Sequence, residues 1–75
     1  MEKKDKIIKV FDNLKTECSV NYTIVETGIN YFTIVLETDI LSYYMLYNLY
    51  ELSKYSEFHI FTKGANFEIY VPFYP

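Results

Sequence analysis

The 75-residue chain has no tryptophan and no arginine, and it has one cysteine, one histidine, two glycines and two prolines. Each shortage excludes something. Without arginine there is no planar fork for bidentate contact with phosphate or carboxylate. A net charge of −3 further disfavours a general nucleic-acid backbone binder. Cys18 stands alone, so it closes no internal disulfide and fits a reducing compartment. It reads as a small buried or half-buried residue rather than a nucleophile. His59 has no second histidine with which to hold a metal ion. Gly28 and Gly64 are isolated and form no phosphate-cradling loop. No apolar run reaches the roughly 18 residues of a membrane span. The charged start MEKKDK is followed by no signal-type apolar region. The expectation is a soluble, cytoplasmic protein.

Apolar and aromatic side chains are abundant instead. The chain is 51% hydrophobic and 20% aromatic, with nine tyrosines and six phenylalanines. That composition argues against disorder. It also exceeds what one small core requires, because a chain of this size buries only about 60% of its unfolded surface. The surplus points to an oligomer or a tight partner.

The longest apolar-periodic run, 38–55, organises the rest. Leu41, Met45, Leu49 and Leu52 fall on one stripe at helical spacing, with Thr38 or Asp39 as candidate N-caps and Lys54 near the C-terminal end. On the opposite face Tyr43, Tyr47 and Tyr50 make a second stripe, with Leu46 at its edge and Tyr44 and Tyr55 further round. Two readings follow. Either the helix is covered on more than one side with tyrosine tips reaching water, or the tyrosine face is a docking surface.

Residues 1–6 form a polar lead-in. Ile7, Ile8, Val10, Phe11 and Leu14 then take helical spacing. From Val20 the period changes to two, which predicts strands over 20–24 and 31–37 and, after the central helix, over 58–63 and 67–71. Gly28 with Asn30, and Gly64 with Asn66, supply the two turns, each glycine tolerating positive φ. The order αββαββ predicts a two-layer α+β sandwich: one four-stranded antiparallel sheet with both helices on one face.

The halves also read as tandem αββ repeats over 5–37 and 39–73. At a gapless offset of 64 − 28 = 36, Ile24 falls on Ile60, Gly28 on Gly64, Asn30 on Asn66 and Val35 on Val71. That register conflicts with plain alternation. The repeat puts Phe32, Ile34 and Leu36 on the helix-free face, while alternation puts them inside. One residue of slip flips every side chain, so the two readings exclude each other. The expected core is Ile8, Phe11, Leu14, Tyr22, Ile24, Leu41, Met45, Leu49, Leu52, Ile60, Phe67, Ile69 and Val71.

No catalytic constellation stands out, and no catalytic, cofactor or metal-binding residue is assigned. The acidic residues are scattered and Cys18 with His59 has no supporting spacing. The composition resembles that of small phage and archaeal-virus proteins, a likeness that rests on no motif. It implies a binder of a host or viral protein, such as an inhibitor or adaptor, working in the host cytoplasm. The reading is a non-enzymatic protein-binding module that forms a homodimer. Two patches compete for the contact. One is the free sheet face with Phe32, Ile34, Phe61 and Tyr70, which is favoured, and the other is the helix face with Tyr43, Tyr47 and Tyr50. The alternative is single-stranded nucleic-acid binding on an aromatic sheet face.

Overall fold

The computed structural model describes residues 2–74. Its elements run α1 (Lys3–Cys18), β1 (Tyr22–Thr27), β2 (Tyr31–Leu36), α2 (Tyr43–Leu52), β3 (His59–Lys63) and β4 (Asn66–Pro72). The strands form one antiparallel sheet in the order β1-β2-β4-β3, so the second strand of each hairpin lies at the centre. Both helices contribute to a single core against one sheet face. The expected two-layer α+β sandwich is the architecture found.

Helix α1 buries Ile7, Val10, Phe11 and Leu14, a stripe at spacing three, one and three. Ile7 rather than Ile8 leads it; Ile8 is half-buried. The helix stops at Ser19, whose φ of 56° is left-handed. Val20 N–H then donates back to the Leu14 carbonyl at 3.3 Å, satisfying a carbonyl left over at the helix end. Val20 is buried, but it precedes the strand.

Helix α2 is shorter than 38–55. Ser42 caps it, its hydroxyl accepting from Met45 N–H at 3.3 Å. Thr38 Oγ1 instead accepts from Ile40 N–H at 3.1 Å, holding a local turn that keeps 38–42 out of the helix. Leu41 therefore leaves the expected stripe and stays exposed. Asn48 completes the buried face of α2 with Met45, Leu49 and Leu52. Its side-chain amide is satisfied by donating to the Tyr44 carbonyl at 2.9 Å and to Glu17 Oε2 at 3.3 Å, which ties α2 to α1.

The sheet decides the register conflict in favour of alternation. Phe32, Ile34 and Leu36 point under the helices and are buried, opposite Val71, Ile69 and Phe67. The gapless offset of 36 fails for a local reason. Strand β1 carries a bulge between Ile24 and Glu26, one extra residue that β3 lacks. Ile24 corresponds to Ile60, 36 positions on, but past the bulge Ile34 corresponds to Ile69, 35 positions on. In the helices Ile7, Val10, Phe11 and Leu14 correspond to Met45, Asn48, Leu49 and Leu52, 38 positions on. The two halves share order and buried pattern, but no single offset relates them. The matched Gly28 and Gly64 are not equivalent either. Gly64 has φ 61°, as a tight turn requires, whereas Gly28 does not adopt positive φ. At Gly28 the space that a Cβ would take is filled by the Tyr31 ring, which a side chain there would displace.

Ile24 and Ile60, expected in the core, sit on the inner face at the two sheet edges and remain 39% and 37% exposed. Tyr22 and Phe67 are half-buried against the core. At the far end Phe73 is buried on Phe32, ring centroids 5.1 Å apart.

Candidate interaction surfaces

Among the described residues two faces gather several exposed apolar groups, while Ile29 and Tyr74 are exposed outside the helices and strands. The first is the outward side of α2. At 100° per residue, Tyr43, Leu46, Tyr47 and Tyr50 occupy the side of the helix opposite the buried Met45, Asn48, Leu49 and Leu52. The stripe keeps 77%, 50%, 59% and 59% of its surface in water, in that order, and it contains no charge. Tyr44 flanks it, edge-on to Tyr43 with ring centroids 5.8 Å apart, and Ile40 and Leu41 extend it at the N-terminal end. Charge lies only at the margins. Lys54 pairs with Glu51 at 2.9 Å and holds its proton more tightly than usual, chiefly through that hydrogen bond. Tyr47 also lines an open groove between the helices, together with Lys6, Lys9, Glu17 and Glu51.

The second surface is the helix-free face of the sheet. Here register places Tyr31, Thr33 and Val35 of β2, Glu68 and Tyr70 of β4, and His59, Phe61 and Lys63 of β3. The Tyr31 and Tyr70 rings approach at 5.7 Å and His59 stacks on Phe61 at 6.4 Å. This face is less apolar than the sequence register allowed, because Phe32 and Ile34 have turned inward. Two pairs of its polar groups are matched to one another. Lys63 Nζ bonds Glu68 Oε2 at 3.0 Å. Tyr31 O–H donates to Glu26 Oε1 at 2.6 Å, and that bond raises the Tyr31 pKa.

The expected site residues thus divide three ways. Tyr43, Tyr47 and Tyr50 come together on α2. Phe61 and Tyr70 lie on the outer sheet face. Phe32 and Ile34 belong to the core and are unavailable to a partner. Sequence periodicity puts Leu46 at the edge of the stripe, and its 50% exposure, the lowest of the four, agrees. The exposure of Leu41 follows from the Ser42 cap, which helix propensity over 38–55 does not reveal.

For reaction chemistry little is assembled. Among the described residues no group of three or more His, Cys, Asp or Glu could hold a metal ion. Cys18 ends α1 on the helix side, while His59 lies on the opposite face of the sheet. Burial, and then the neighbouring Glu17 carboxylate, push the Cys18 thiol pKa up, away from a reactive thiolate. No helix among the described residues is long and apolar enough to cross a membrane. Compared with family models, curated proteins and solved structures, the chain gives no match.

Proposed function

We propose that the chain is a non-enzymatic protein-binding module whose contact surface is the outward face of α2. The observation that carries this reading is the uncharged stripe Tyr43, Leu46, Tyr47 and Tyr50, at least half exposed at every position. Tyrosine buries large area at small entropic cost and retains a hydroxyl for the interface. Isolated exposed apolar residues need no explanation, but a contiguous patch on so small a domain marks a contact surface. A lone cysteine, which closes no internal disulfide, fits work in a reducing, cytoplasmic setting.

The aromatic sheet face favours the rival reading, single-stranded nucleic acid, through its exposed Phe61 and stacked His59. Electrostatics weighs against it. Stacking platforms join aromatics to several cations, whereas this face carries a single lysine, Lys63, beside the acidic Glu68 and Glu26.

Crosslinking and affinity capture with the wild type, with Tyr43→Asp/Tyr47→Asp and with Phe61→Ser tests the proposal. Self-association counts as capture. The expected result is capture abolished by the α2 variant and retained by the sheet variant. Capture that is indifferent to the α2 variant would overturn it. So would tight, salt-dependent anisotropy changes with labelled oligonucleotides that Phe61→Ser abolishes.

A further inference from the structure

We infer that the occupant of the α2 face is a second copy of the same chain, packed antiparallel about a two-fold axis between Leu46 and Tyr47. The inference rests on the reading of α2 as a contact surface and adds the identity of the partner.

Three observations carry it. The first is the pattern of the stripe. Its positions 43, 46, 47 and 50 are symmetric about the midpoint between Leu46 and Tyr47. A two-fold there sets Tyr43 against the second copy's Tyr50 and brings Leu46 and Tyr47 to either side of the axis, each beside its own mate in the second copy. Aromatic meets aromatic at both ends, and the residues nearest the axis pack on their own mates. A closed two-fold contact lets one patch cover itself.

The second is area. Each tyrosine carries about 200 Å², and Tyr43, Tyr44, Tyr47 and Tyr50 keep 77%, 68%, 59% and 59% of theirs in water. With the half-exposed Leu46 that makes roughly 600 Å² on each copy, and Ile40 and Leu41 extend the patch toward the ~800 Å² per partner of a standard interface. The outer sheet face does not match this. Its exposed Phe61 lies on an edge strand, Tyr70 beside it is 38% exposed, and Glu68, Lys63 and Glu26 place charge on the same face.

The third is charge. The exposed Asp39 precedes the N-terminal end of α2 and Lys54 follows its C-terminal end. Antiparallel packing brings Lys54 of each copy toward Asp39 of the other and opposes the two helix dipoles. Parallel packing would set like charges together. Lys54 also keeps 53% of its side chain exposed, so its Glu51 contact leaves it accessible.

Sedimentation equilibrium of the full chain, from low micromolar to millimolar, reads the result. A reversible monomer–dimer equilibrium is expected. Tyr47→Asp should weaken it at least tenfold with an unchanged far-ultraviolet spectrum, and Tyr43→Ser, which adds no charge, should weaken it as well. Lys54→Asp and Asp39→Lys should each weaken association, and the two together should restore it. In a Cys18→Ser background, Leu46→Cys should form a disulfide-linked dimer under mild oxidation and Phe61→Cys should not. A dimer lost with Phe61→Asp but kept with Tyr47→Asp would place the contact on the sheet and overturn the inference. A wild-type monomer mass throughout would overturn the dimer alone. In that case a different protein whose capture depends on Tyr43 and Tyr47 would still uphold the contact-surface reading, and a failure of capture as well would end both.

Discussion

Ile34 and Ile69 face each other across the β2–β4 pairing, and neither exposes any surface to water. They are the middle of a row of four isoleucines across the sheet, since Ile24 pairs with Ile34 and Ile60 pairs with Ile69. The row lies on the inner face, and its burial falls from the two central strands to the two edges.

That gradient predicts stability. Ile34→Ala and Ile69→Ala should each cost about 2–5 kcal/mol, because the helices above cannot collapse fully into the space left. Ile24→Ala and Ile60→Ala remove side chains already more than a third exposed. They should cost about 1–2 kcal/mol. Urea melts of the four variants check the ordering; equal losses at centre and edge would contradict the register.

Helix α2 offers the same comparison within one element. Leu49 is 3% exposed and Leu46 is 50% exposed, three positions away. Leu49→Ala should cost about 2–5 kcal/mol. Leu46→Ala should fall within about 0.5 kcal/mol of the wild type when measured at concentrations where the chain is monomeric. Were the two losses reversed, the tyrosine side of α2 would be the core side.

Tyr22 joins β1 to α1 through its hydroxyl, which donates to Asp12 Oδ1 at 2.5 Å. Burial first, then that hydrogen bond and the Asp12 charge, push its pKa up to about 12. The unfolded value is about 10. The fold therefore favours the protonated phenol. Its contribution is fully present below about pH 10 and is lost as the pH rises toward 12. Tyr22→Phe should lose about 0.5–1.5 kcal/mol near neutral pH. It should also show a shallower decline in denaturant midpoint between about pH 10 and 12. Identical slopes in the two proteins would remove Tyr22 as the titrating group.

Ser19 is a non-glycine residue with left-handed φ, and its position at the end of α1 is one that glycine favours. Ser19→Gly should stabilise by about 0.5–1 kcal/mol, since it relieves the Cβ clash of that conformation. Thermal melts test it. A lower midpoint would mean that the added freedom of glycine in the unfolded chain outweighs the relief.

The layout was largely legible in the sequence. Apolar spacing marked both helices, the change to period two marked the strands, and Leu14, Met45, Leu49, Leu52, Ile69 and Val71 declared themselves as core. The candidate site was legible in part. Tyr43, Tyr47 and Tyr50 share a helix side at any register, because local geometry alone fixes their direction. Phe32 and Ile34 depended on something else, namely which of two mutually exclusive registers the strand adopts.

Sequence by itself determined the properties set within a few residues: helix or strand, the turn at Gly64, and the opposed stripes of α2. The tertiary structure decided the rest. The bulge beside Ile24 broke the apparent repeat, and in a strand one extra residue turns every following side chain over. It also decided that Ser42, not Thr38 or Asp39, begins α2, since several side chains competed to cap and the one chosen had to aim Met45 and Leu49 at the sheet. Burial depends on what lies across the sheet. Ile24 and Ile34 have the same side chain and point the same way, and only the position of their strands left one at the edge and the other under two helices.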